Sequence, residues 1–179
     1  MALIIKDRAV VSDPWRLLKA ADDRGLPPVP TAGDIVVPLE LWRVERDALR
    51  FRPGRIGVWL DGDQDPALIA EDLPLFGMVA VNFPKFTDGR GYSIARLLRD
   101  RYGYRGELRA IGDVQRDQLF YLSRCGFNAF ALREGADPRE ALSAFGDFSE
   151  TYQNSVERPL PLFRRREELA GLSPDKSLT

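Results

Sequence analysis

Val79-Ala-Val-Asn-Phe-Pro-Lys-Phe-Thr-Asp-Gly-Arg-Gly-Tyr-Ser-Ile-Ala-Arg-Leu-Leu-Arg99 reads as a β-strand, a loop and an amphipathic helix in direct succession. Its opening residues are continuously apolar, as in a strand buried on both faces. The loop then gathers Lys85, Thr87, Asp88 and Arg90 with two glycines, Gly89 and Gly91. From about residue 91 to 102 the spacing turns helical, with Ile94, Leu97 and Leu98 on one face and Arg96, Asp100 and Arg101 pointing away. A doubly buried strand leading into such a helix is the repeating unit of a parallel α/β sheet.

The same unit recurs on either side. Strands are expected at residues 35–37, 55–60, 77–82, 107–111 and 128–132. Each is followed by a helical pattern: 39–49, 65–73, 91–102, 114–125 and 137–145. Asp65-Pro66 and Asp137-Pro138 have the cap-then-proline signature of a helix start, and Gly126 follows its helix as a C′ residue. Five βα units predict a mainly parallel sheet. An open sheet, doubly wound or flavodoxin-like, is the expected arrangement, with a partial β/α barrel as the alternative. Ahead of it, residues 2–12 read as a β-hairpin around Lys6-Asp7-Arg8, and Asp13-Pro14 as the cap of a short helix ending at Lys19. Residues 25–33, with Pro27, Pro28 and Pro30, read as a stiff connector. The chain thus divides into 1–33 (hairpin and connector), 34–148 (α/β domain) and 149–179 (an extended arm with Arg164, Arg165 and Arg166, and a disordered tail).

Composition narrows the chemistry. A hydrophobic fraction of 44% with 30% charged residues in 179 residues suits one globular domain with a real core. A net charge of -1 gives no global attraction to nucleic acid or anionic membrane. The chain has no histidine, which removes Ser-His-Asp and Cys-His catalysis and His-ligated zinc. Its one cysteine, Cys125, rules out an intramolecular disulfide and a cysteine-ligated cluster built by one chain, and is expected to be structural. No secretory signal is evident and no apolar run nears the ~20 residues of a membrane span, so a cytoplasmic location is expected.

In both architectures ligands bind at the C-terminal ends of the strands. Asp61, Asn82, Asp113 and Glu134 then become rim candidates, with Arg133 beside Glu134. The sharpest candidate is the 85–93 loop. Lys85 offers a point charge, Arg90 a forked donor, Thr87 and Ser93 hydroxyls, Gly89 and Gly91 close backbone approach, and Asp88 a tight turn. At a helix N-terminus these residues are expected to form an anion site. A dinucleotide fingerprint would need a third glycine where Ile94 stands, and the Gly-Lys-Ser/Thr ending of a P-loop is missing. The alternating acids Asp61, Asp63 and Asp65 resemble a calcium loop only until Pro66, which stands where that loop needs glycine, so no metal site is assigned. There is no motif for NAD, FAD, haem or an iron–sulfur cluster. Trp59, Phe120, Tyr121, Phe127 and Phe130 are expected in the core, and Tyr102 and Tyr104 on an exposed contact turn.

Phe83-Pro-Lys-Phe-Thr-Asp-Gly-Arg-Gly-Tyr-Ser93, Arg105-Gly-Glu-Leu-Arg-Ala-Ile-Gly-Asp113 and Asp117-Gln-Leu-Phe-Tyr-Leu122 together resemble a bacterial family known as domain of unknown function 934. The resemblance runs over roughly residues 2–148. Members of that family are commonly labelled oxidoreductases of sulfite reduction, because their genes tend to lie beside assimilatory sulfite reductase genes. The resemblance therefore implies an accessory protein of sulfate/sulfite assimilation, binding a small oxyanion or a partner such as sulfite reductase. Alternatives are an oxidoreductase using flavin or nicotinamide at the sheet's rim, with Asp113 or Asp61 as acid/base, and a purely structural docking subunit, in either case with a homo-oligomer in view. An oxidoreductase needs an electron carrier, and no motif here announces one.

Overall fold

A computed structural model describes residues 2–19, 25–147 and 155–156. Eight strands form one sheet: β1 (Leu3–Lys6), β2 (Ala9–Ser12), β3 (Arg16–Leu17), β4 (Ile35–Pro38), β5 (Ile56–Leu60), β6 (Met78–Phe83), β7 (Glu107–Gly112) and β8 (Ala129–Phe130). The spatial order is β2-β1-β8-β7-β6-β5-β4-β3. From β3 to β8 each strand pairs in parallel with the next in sequence, and β1 alone runs against its two neighbours. A doubly wound sheet reverses its strand order partway. This order does not reverse, so of the two expected architectures it is the partial β/α barrel.

The link between β2 and β3 fixes the curl. These strands lie on opposite edges of the sheet, yet only residues 13–15 separate them. A flat eight-stranded sheet would put its edges about 34 Å apart at ~4.8 Å per strand. Four Cα steps reach about 14 Å at most. The sheet must therefore bend until its edges nearly meet, with 13–15 as the bridge. The expected helix over 14–19 is thus replaced by extended chain. Asp13-Pro14 does resemble a helix cap, but Arg16 and Leu18 donate their N–H groups to Asp34 and Val36 and add β3 to the edge of β4. The hairpin ahead of it forms as read, and Asp7 and Arg8 take the positive φ values of a tight two-residue turn.

The helices cover only the convex face. α1 (Leu39–Arg50) supplies Leu41 and Trp42, α2 (Arg90–Arg96) Ile94, and α3 (Leu119–Arg124) Leu119 and Leu122. They pack on Val37, Val58, Val79, Val81, Leu108 and Phe130 in one continuous core. α4 (Pro138–Ala141) starts at Asp137, which accepts from the Arg139 N–H at 2.8 Å. The turn at Pro66–Leu75 is 3₁₀ throughout and starts at Asp65 in the same way, its carboxylate accepting from the Ala67 N–H. Both caps stand where the sequence puts them. α2 continues into a π-helical turn over Leu97–Arg101. No helix among the described residues is long and apolar enough to cross a membrane. Apart from residues 155 and 156, the expected C-terminal arm and tail lie outside the described residues.

The concave face has a second, smaller core of Trp15, Val36, Met78, Ala80 and Ile111. One row of that face runs Pro38, Trp59, Ala80, Arg109, Ala129 and Lys6 across six strands. Beside it Arg109 donates to Glu107 through Nε and Nη2 and to Asp13 through Nη1 at 2.8 Å, while Lys6 pairs with Glu107 at 2.8 Å. These four charges cancel inside the curl.

Candidate functional site

Every second residue of the 13–19 segment faces the same way. Asp13, Trp15, Leu17 and Lys19 all line a cavity of about 230 Å³ on the concave side. Arg109 and Ile111 of β7 form another wall, and Leu132, Arg133 and Glu134, beyond the end of β8, the rim. The cavity therefore opens at the C-terminal ends of the strands, where functional groups gather in barrels of this kind. A second space of about 460 Å³ adjoins it and shares Lys19, with Pro38, Glu40, Trp59 and Asn82 among its walls. The Trp59 ring is half-buried, and its Nε1–H donates to the Leu18 carbonyl at 2.9 Å. Trp59, expected in the core, is thus half-buried on this inner face, where it packs against the smaller core.

Charge is distributed unevenly through the cavity. At its floor Arg109 is buried and its charge is matched by Asp13 and Glu107. At its mouth Lys19 and Arg133 are exposed, and neither has an ion-pair or hydrogen-bond partner for its side chain among the described residues. Glu134 stands beside them.

The other rim candidates hold one another. Asn82 donates through Nδ2 to Asp61 at 2.7 Å, and the Asp61 N–H donates to Gln64. Asp113 accepts from the Phe86 N–H at 3.1 Å and so ties the 85–93 loop to β7. Gly112, ahead of it, has φ +97°, and a side chain there would run into the Phe83 carbonyl. Of the rim candidates, Glu134 reaches the inner cavity and Asn82 the adjoining one, while Asp61 and Asp113 line neither. No group of three or more His, Cys, Asp or Glu side chains fit for a metal occurs among the described residues.

The 85–93 loop lies over the convex side. Gly91 is buried at the start of α2, and a Cβ there would sit 2.6 Å from Cζ of Phe83, so this glycine serves helix-to-sheet packing. Asp88 accepts from the Arg90 N–H at 3.2 Å and from its guanidinium at 3.0 and 2.7 Å. The Arg90 guanidinium, helped by the backbone N–H, holds the Asp88 carboxyl down at about 2. Asp88 thus engages the Arg90 N–H and guanidinium, donors that the loop would otherwise offer to an anion. Lys85, Thr87, Gly89 and Ser93 remain exposed.

Three further expectations change. Tyr104 is buried, its hydroxyl 3.3 Å from the Phe76 and Glu107 carbonyls, and burial pushes its pKa up. Of the expected contact turn, Tyr102 is half-buried. Conversely Tyr121 is 52% exposed and stacks edge-on against Tyr92, outside the core. Phe127 and Phe130 are in the core as expected, and Cys125 is buried.

Lys19, Arg109, Asp13 and Trp15 escape sequence reading because they meet only when the curl brings residues 13–19 beside β7 and β8. The only local signal was the short alternation Trp15-Arg16-Leu17.

Residues 57–163 match the family model described as bacterial protein of unknown function (DUF934), and the chain belongs to that family. No curated protein matches it. The matched segment contains the 85–93 loop, Arg109, Arg133 and Glu134, while Asp13, Trp15 and Lys19 precede it.

Proposed function

We propose that this protein binds a small anion at the C-terminal mouth of its curled sheet and serves assimilatory sulfite reduction as an accessory protein. The observation that carries the binding half is the pair Lys19 and Arg133, two exposed cations on the rim of one cavity whose side chains have no partner among the described residues. A guanidinium and an ammonium on one rim suit an oxyanion, the first as a fork and the second as a point charge. The sulfur context comes from the labels carried by the family the sequence resembles. Partner docking is favoured by a separate feature: Phe86 on the 85–93 loop is 44% exposed beside Lys85, and Tyr121 stands out nearby. A reductase contacting that outer surface would leave the mouth free.

Deleting the gene in its host tests the pathway. Growth on cysteine should be normal, and growth on sulfate and on sulfite should be slow. Equal growth on all three sulfur sources would remove the protein from sulfite reduction.

A further inference from the structure

The cavity below the mouth is larger and more apolar than an inorganic anion requires. One water needs about 10–15 Å³ of such space, and the cavity has about 230 Å³. Trp15, Leu17, Val36, Met78, Ile111 and Ala131 supply apolar walls. Its two ends are polar and differ in charge. At the floor Arg109 faces both Asp13 and Glu107, and Lys6 offsets Glu107, so the set is neutral and an anion there would meet two carboxylates. At the mouth two cations, Lys19 and Arg133, face one carboxylate, Glu134. Asp13 accepts from the Trp15 N–H on one oxygen and from Arg109 on the other. Each carboxylate oxygen has a second lone pair, so Asp13 can still accept from a further donor.

We propose that this cavity takes a small organic anion, its carboxylate or other oxyanion head between Lys19 and Arg133, its apolar body against Trp15 and Met78, and a hydrogen-bond donor at its far end on Asp13. The proposal rests on the reading of the mouth as an anion site and adds the class of molecule. An inorganic anion would use only the mouth and leave the apolar walls to water. An organic one buries them.

Calorimetric titration of the full chain with acetate, butanoate and hexanoate, the matching primary alcohols, and sulfite separates these cases. Affinity should rise about three- to fourfold per added methylene until the cavity is full. Each alcohol should bind at least tenfold more weakly than its acid. Ala131→Leu, which adds bulk to the wall, should weaken hexanoate and leave sulfite unchanged; its thermal melting checks that it folds, and the wild-type series needs no variant. An affinity that is flat with chain length while sulfite binds overturns the organic ligand and spares the anion site. Alcohols that match their acids overturn the anionic head. No binding by any acid or by sulfite overturns both.

Discussion

Arg99, at the N-terminal end of the sheet, and Arg133, at the C-terminal end, are the same residue type in opposite circumstances. Arg99 is buried and donates to the carbonyls of Tyr104, Gly106 and Gly126 and to the Asn128 side chain, joining the turns that lead into β7 and β8. Burial lowers its pKa, and it keeps its charge among backbone carbonyl dipoles. Arg133 is exposed beyond the end of β8, and its side chain engages nothing among the described residues. Together with the matched Arg109 and with Lys19, whose side chain also has no partner among the described residues, they divide the molecule. Charges below and within the curl are engaged by carbonyls and carboxylates, and on the proposed reading the charges at the mouth serve a ligand. Sheets curled into barrels commonly separate stability from function in this way, by end.

That division can be broken from either side. The largest effect should come from Arg109→Ala. It takes from Asp13 its cation and leaves Glu107 with Lys6 alone, and breaking a buried ion pair costs about 3–5 kcal/mol. Urea unfolding measures it. A loss below about 1 kcal/mol would mean that the interior charges do not hold the curl. Gly91→Ala should cost less, about 1–3 kcal/mol, because the new methyl group presses on Phe83 beneath α2. Binding at the mouth should be untouched, since Gly91 lies on the helix side. Changing Lys19 and Arg133 together to alanine should alter stability by no more than about 0.5 kcal/mol, as for exposed side chains without structural partners.

The smallest effect concerns Asp88. Its folded pKa, about 2, lies below the ordinary carboxylate value of about 3.9. Its contribution to stability is therefore fully present above that ordinary value and is lost as pH falls through about 2. Because Arg90 is exposed and solvent screens the pair, the effect on global unfolding should be slight. An NMR titration should place the Asp88 midpoint near 2, and Arg90→Ala should return it to the ordinary range. An unchanged midpoint in that variant would show that Arg90 is not held by Asp88, and would reopen the 85–93 loop as the anion site.

These two sites also show what the sequence could reveal. The βα units from residue 35 onward were legible because their signals are local: the apolar run at 79–81, the caps Asp65 and Asp137, the C′ glycine Gly126. The strand order was not, because it depends on every crossover helix packing on the same face. Residues 13–19 misled for a related reason. Asp13-Pro14 has the local chemistry of a cap, while the pairing that makes β3 comes from β4, far along the chain. The loop at 85–93 showed the right residue types for an anion site. Whether Arg90 is free depended on where Asp88 points, and composition does not carry that. The cavity mouth is assembled from Lys19 near one end of the described chain and Arg133 near the other, and no window of sequence contains both.

The central claim is that anions bind at the mouth and not at the 85–93 loop. Calorimetric titration of sulfite into the wild type, Lys19→Ala with Arg133→Ala, and Lys85→Ala with Arg90→Ala tests it directly. Losing two charge-assisted contacts should weaken binding at least tenfold in the mouth variant, with the loop variant close to wild type. Full binding by the mouth variant, or loss in the loop variant alone, would contradict the account.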